Sequence, residues 1–212
     1  MKITKLGHCC MVIEETGLKI LTDPGNYTTE QNAVTGIDVI LITHEHGDHL
    51  HVPSLKIVLQ NNPQAKIITN KSVGLLLDKE NISYTIIEDG QAVTEKGVLI
   101  EGVGAEHHLI HPIIPVINNT GYFITNRFFY PGDALTKPKK SVEILAFPST
   151  APWLDITDAL DYVEKVQPKV CFPVHDGNLK IVGHAYTFIP DKVLTPLGIK
   201  YILLDLGKEM EF

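Results

Sequence analysis

The chain is poor in cysteine, in concentrated positive charge and in long apolar runs, and each shortage removes a class of function. Only three cysteines occur in 212 residues, at positions 9, 10 and 171, and no Cys-x-x-Cys pair is among them. An odd number with two adjacent members makes no disulfide framework, so all three read as reduced thiols. Any bound metal must then rest on imidazole and carboxylate. Lysine and arginine total 18 against 25 aspartates and glutamates, a net charge of −7. Contacts to nucleic-acid phosphates need a concentrated basic surface, so nucleic acid is not an expected partner. The short cluster Lys137, Lys139 and Lys140 reads as a solvated loop. No apolar segment approaches the ~20 residues of a membrane span. MKITKLGHCCMVIEE carries no clean cleavage signal, which makes a cytoplasmic protein with no membrane partner the expectation. Repeats and low-complexity tracts are absent too, and a chain of this length with 44% hydrophobic residues suits one domain over residues 1–212.

What is present is strand followed by helix, twice. Lys2 to Leu6, Cys9 to Glu14 and Lys19 to Thr22 read as strands, the last two as a hairpin, with Asp23-Pro24-Gly25 stopping the third. Helical patterns follow at Pro53 to Leu59 and Ser72 to Lys79, with strands at Lys66 to Thr69 and Ser83 to Glu88. From Val93 to about Phe129 the alternation predicts antiparallel sheet, interrupted by a long loop from Glu106 to Asn119. Glu143 to Phe147 and Lys169 to Val174 are strands around a helix that Asp155 caps and whose apolar face is Ile156, Leu160, Val163 and Val166. Tyr201 to Leu206 is expected to close the fold as a last strand. Helices on the outer faces of packed sheets would bury these stripes economically.

The densest polar feature is HEHGDH, residues 44 to 49, directly after the strand-like run Asp38 to Thr43. In an extended segment His44 and His46 can turn to one side together, whereas residues two apart share no helix face. Gly47 lets the backbone bend before Asp48 and His49. Four ligands from six residues can thus converge on two neighbouring cations, the carboxylate offsetting their charge.

The pattern Thr43-His44-Glu45-His46-Gly47-Asp48-His49 resembles the signature of metallo-β-lactamase-fold proteins. Within them the chain is similar to the small metal-dependent hydrolases of the ascorbate-6-phosphate lactonase-like group. The opening MKITKLGHCCMVIE, the Asp-Pro after the third strand, the Gly-Asp near the middle and the strand ending in Pro-Val-His carry that likeness. The resemblance implies an α/β fold, a four-layer αββα sandwich, with two divalent ions, zinc first and manganese, iron or nickel as alternatives. It assigns His44, His46 and a histidine of the central loop to one ion; between His107 and His108, the spacing of Ala105-Glu106-His107 favours His107. Asp48, His49 and His175 go to the second ion, with Asp133 bridging both. Asp48 and Asp133 are then the catalytic carboxylates. Asp23 is expected to orient a ligand histidine, and His8, His108, His111 and His184 are candidate contacts to substrate. Where relatives carry histidine or alanine before Gly-Asp, this chain has Tyr130-Pro131, a change expected to reshape the substrate wall.

The implied reaction is hydrolysis of a small ester, lactone or phosphoester by a metal-bridged hydroxide. The alternatives are a metal-binding protein without turnover and a diiron redox protein; the retained His46 and the lack of a flavin domain argue against an oxidase. A small molecule is the expected partner, and homo-oligomerisation is left open.

Overall fold

The computed structural model describes residues 1–179 and 184–212, without the side chains of residues 184 and 185. The expected substrate contact of His184 therefore lies outside the described residues.

The chain begins with the meander β1 (Lys2–Gly7), β2 (Cys10–Glu15) and β3 (Leu18–Thr22), then runs through β4 (Val39–Leu41), α1 (Val52–Asn61), β5 (Lys66–Thr69), α2 (Lys71–Lys79) and β6 (Thr85–Ile86). A second series follows: β7 (Ala92–Glu95), β8 (Val98–Val103), β9 (Gly121–Ile124), β10 (Phe128–Tyr130), β11 (Ile144–Pro148), α3 (Ile156–Val166), β12 (Val170–Val174), α4 (His184–Leu194), β13 (Lys200–Tyr201) and β14 (Glu209–Glu211). Two seven-stranded sheets result, ordered β14-β1-β2-β3-β4-β5-β6 and β13-β12-β11-β10-β9-β8-β7. In each the meander pairs antiparallel, and the strands β3-β4-β5-β6 and β10-β11-β12-β13 pair parallel, through the longer crossover connections that parallel pairs need.

Strand alternation sorts side chains into layers. Tyr122 and Ile124 point between the sheets, where they meet Ile3, Met11, Ile20 and Leu41. Phe123 points the other way, onto the cluster that Leu160, Val163 and Val166 of α3 share with Leu145 and Phe147. On the opposite outside, Leu55 and Val58 of α1 and Val73 and Leu77 of α2 cover Val12, Leu21, Ile40 and Ile67. This is the αββα arrangement. Asp155 caps α3 as the sequence suggests, accepting from the N–H groups of Thr157 and Asp158, and the structure adds a second cap, Asn70, which accepts from Val73 at the start of α2.

Three local expectations change. The last strand is not Tyr201 to Leu206: after β13 only Ile202 bonds back to Cys171, and Gly207 in a left-handed turn bonds to Lys5 and sends β14 across to the first sheet. The strand expected from Ser83 to Glu88 shortens to Thr85–Ile86. Helix α4 carries Pro190 in its interior, which hid it, since proline removes a helical donor. Among the described residues no helix is long and apolar enough to cross a membrane.

Candidate metal centre

The polar cluster sits where the parallel strands of both sheets end. HEHGDH follows β4, and the Asp23-Pro24-Gly25 turn after β3 lies against it: Asn26 N–H bonds to the Gly47 carbonyl, and His51 N–H to that of Pro24. Gly25 permits this approach, because a Cβ there would lie 1.7 Å from the Asp48 carbonyl oxygen. The second sheet contributes His107 after β8, Asp133 after β10 and His175 after β12. His8, Asp23 and His175 all hold positive φ, at 51°, 35° and 60°. Such backbone strain in non-glycine residues persists where surrounding contacts over-determine it.

Two donor groups form. His44, His46, His107 and Asp133 make one, and His8, Asp48, His49 and His175 the other, each with its donor atoms within 4.8 Å of one another. Asp133 touches both: one carboxylate oxygen is 3.1 Å from His49 Nε2, and the other is 3.3 Å from His107 Nε2 and 3.0 Å from His175 Nε2.

Hydrogen bonds behind the imidazoles fix which nitrogen faces inward. His49 donates from Nδ1 to Asp23 at 2.7 Å, His175 from Nδ1 to the Thr150 carbonyl at 2.6 Å, and His107 from Nδ1 to the carbonyl of His108. The Thr43 hydroxyl donates to Asp23 at 2.8 Å and so accepts from His44 Nδ1 at 3.0 Å. In each ring the outer nitrogen is committed to that bond, which leaves Nε2 as the nitrogen turned to the centre, where that of His44 meets His46 Nδ1 at 3.0 Å. Asp23 is the hub of this support, fully buried and accepting as well from Thr43 N–H and the Tyr130 hydroxyl. Tyr130 is itself fully buried. The expectation that it reshapes a substrate wall is therefore corrected: its ring packs in the inter-sheet core and its hydroxyl orients Asp23.

His8 differs from the other three members of its group. Its Nδ1 accepts the Gly177 N–H at 3.0 Å, so its proton sits on Nε2, which donates to Asp48 at 3.2 Å. Burial pushes its pKa down and keeps it neutral. With no inward lone pair, His8 positions Asp48.

The electrostatics favour a cation. Burial alone would raise Asp133 and Asp48, but His49 and His175 beside Asp133, and the neighbouring His175 with the hydrogen bond from His8 at Asp48, hold both carboxyls well below their usual range. Burial opposes charge on His49 and His175 as well. Asp133 outweighs it, raising His49 well above its ordinary value and His175 to about 11. Burial dominates at His44 and His46, and both stay neutral. His49 Nε2, His107 Nε2, His175 Nε2 and Asp133 Oδ1 are buried without a hydrogen-bond partner. Orphaned buried atoms of this kind are costly, and four converging in one place fit divalent cations.

The remaining candidates fall outside these groups. His108 stacks on Trp153 at 5.0 Å, which leaves His107 as the central-loop histidine facing the cluster. His111 is exposed on its loop. His51 bonds to Ser54 at the start of α1. Sequence reasoning missed Cys9, whose sulfur approaches His49 and Asp133, and Trp153, the single tryptophan, whose ring overlooks His107 and His175. A lone tryptophan between Pro152 and Leu154 in a loop was the available signal.

Comparison with known proteins agrees with this frame. The chain is 34% identical over 182 residues, 84% of both chains, to Protein Rv0786c of Mycobacterium tuberculosis. It is 26% identical over 227 residues, 98% of both chains, to a UPF0173 metal-dependent hydrolase of Carboxydothermus hydrogenoformans. The fold matches Igni18, a metallo hydrolase of the archaeon Ignicoccus hospitalis, with a TM-score of 0.72 and 20% identity, covering 100% of this chain and 98% of that one. Residues 2–175, which run from β1 through His175 and so span all eight His and Asp side chains of the two donor groups, match the family described as "Beta-lactamase superfamily domain". The chain thus belongs to that family, with the metallo-β-lactamase fold.

Proposed function

We propose that the protein is a dinuclear metal-dependent hydrolase of a small ester, lactone or phosphoester. The observation that carries this reading is the set of four inward-facing, partnerless buried atoms on His49, His107, His175 and Asp133. The name of the Carboxydothermus relative, a metal-dependent hydrolase, supports the same class.

His44, His46 and His107 would hold one ion and Asp48, His49 and His175 the other, with Asp133 shared. When bound, two divalent ions supply an acidified water and electrostatic stabilisation of the oxyanion formed at the attacked centre. Zinc suits this imidazole-rich set, with manganese, iron and nickel as the other candidates. The carboxylate of Asp133 offsets repulsion between two cations. Asp48, half-buried at the cleft and ionised, is placed to orient the attacking water and to take its proton at a carboxylate oxygen. His8 keeps Asp48 in that position through its Nε2–H. Asp23 and Thr43 hold the rings of His44 and His49 so that neither must reorganise when charge develops. No serine or cysteine nucleophile is required. Three unpaired buried cysteines fit a reducing compartment such as the cytoplasm.

The test is metal content and turnover measured together, on protein purified without added metal and then stripped and reloaded. About two ions per chain, with hydrolysis lost on stripping and restored on reloading, is the expected result. Two ions without turnover of any ester, lactone or phosphoester would favour a non-catalytic metal-binding protein.

A further inference from the structure

The expectation that a metal here rests on imidazole and carboxylate alone leaves out one sulfur. Of the three cysteines, Cys10 packs with Val12, Leu21 and Ile40 beneath α1 and α2, and Cys171 packs with Leu145 and Val163 beneath α3. Both behave as the small buried hydrophobe that a free thiol usually is. Cys9 lies instead in the layer between the sheets, fully buried. Its sulfur, a donor nitrogen of His49 and a carboxylate oxygen of Asp133 all lie within 4.8 Å of one another.

The main chain on both sides of Cys9 is fixed. The Cys9 carbonyl accepts from the Thr22 hydroxyl at 2.8 Å, and that hydroxyl accepts the Met11 N–H at 3.0 Å, which ties the start of β2 to the last residue of β3, next to Asp23. One residue earlier, the His8 carbonyl accepts the His175 N–H at 3.3 Å. Cys9 is thus held between the turn whose Asp23 orients His49 and the loop that presents His175. The groups its sulfur approaches are unsatisfied. His49 Nε2 and Asp133 Oδ1, 3.1 Å apart, are both buried without a hydrogen-bond partner, a costly state for polar atoms. An ion that satisfies both is bound within reach of the Cys9 sulfur, and among the described residues no other cysteine belongs to a donor group.

Resting on the dinuclear hydrolase reading, we propose that Cys9 is a further metal ligand, which adds one sulfur to the ion held by Asp48, His49 and His175. On coordination the S–H bond breaks, its electron pair forms the sulfur–metal bond and the proton leaves to solvent. Nothing is oxidised or reduced. Imidazole suits zinc, iron and nickel alike, whereas thiolate is a soft donor that favours zinc and carboxylate suits manganese. The sulfur therefore biases its ion towards zinc, and the group of His44, His46 and His107 has no such bias.

The test is X-ray absorption at the zinc edge on the full-length protein, stripped of metal and reloaded with zinc, with bound metal counted in every preparation. The expected result is a sulfur shell at about 2.3 Å beside a nitrogen and oxygen shell at about 2.0–2.2 Å. Protein loaded with cobalt(II) should show a sulfur-to-cobalt charge-transfer band in the near ultraviolet. Cys9→Ser, which exchanges one atom, should lose both signals while two ions remain bound, and its preference for zinc over manganese should fall. Zinc-loaded protein without a sulfur shell overturns this inference and leaves the metal centre of the hydrolase reading intact. A sulfur shell that survives in Cys9→Ser overturns it as well. The unaltered protein carries the signal, so the outcome does not depend on the variant folding. Unaltered protein that takes up no metal is a different result, which removes the hydrolase reading and this inference together.

Discussion

The two sheets build the centre in different ways. The first delivers His44, His46, Asp48 and His49 from one turn of six residues. The second delivers His107, Asp133 and His175 singly, each from a different loop after β8, β10 and β12. Their supports differ as well. His44 and His49 are oriented by side chains, through Thr43 and Asp23. His107 and His175 are oriented by main-chain carbonyls, and Asp133 is set by its own N–H bonding to Asn119 Oδ1 at 3.0 Å. A main-chain carbonyl cannot be removed by substitution. The first half of the site is therefore vulnerable to changes in Asp23 and Thr43, which would hold no ion themselves, whereas in the second half only Asp133 leans on such a side chain, that of Asn119.

The largest effect should come where the halves meet. Asp133→Ala removes the carboxylate within reach of both donor groups, and both ions and all turnover should be lost. His46→Ala and His175→Ala each damage one group only, so each should retain close to one ion per chain. Metal analysis of the three variants side by side measures this, and two ions retained in Asp133→Ala would break the account of a shared carboxylate.

Gly25→Ala should come next, although position 25 carries no ligand. The added Cβ would lie 1.7 Å from the Asp48 carbonyl oxygen, so the whole first-sheet turn must shift, at a cost of about 1–3 kcal/mol read from denaturant unfolding. Asp23→Asn keeps the shape but cannot accept from His44's relay, His49 and Tyr130 as a carboxylate does. Metal affinity should drop by about 10–100-fold, with no comparable effect available from a substitution behind His107 or His175.

The smallest effect is one of pH, on protein stripped of metal by chelation. His175, pushed to about 11 against the burial that opposes its charge, has a folded-state pKa above its unfolded one. Its contribution to stability is complete below the unfolded value near 6.5 and is lost as pH rises towards 11. The unfolding midpoint of stripped protein should fall between those limits, and it should fall less in His175→Ala.

The same contrast explains what was legible in the sequence. Ligands packed into one turn after a strand declare themselves by spacing alone. Asp133 and His175 lie far from that turn in the chain, and no periodicity connects them; family resemblance placed them beside it, and the close of the two sheets supplies the physical reason. His107 and His108 are chemically identical neighbours. Only the backbone of the loop decides that one ring turns inward while the other stacks on Trp153. Tyr130 misled because a residue next to Gly-Asp looks like part of the cleft, whereas β10 alternation points it into the inter-sheet core. The apolar rim that Trp153 and Ile110 give the cleft was equally hidden, since it is assembled from segments distant in sequence. At the C-terminal end, the run Tyr201 to Leu206 has the composition of a strand but only β13 pairs with the second sheet.

The most direct test of the shared-carboxylate centre is anomalous diffraction from crystals of the metal-loaded protein. The account predicts two peaks, about 3.5–4 Å apart, with Asp133 bound to both, His107 at one and His175 at the other. A single peak, or two peaks of which Asp133 touches only one, would contradict it.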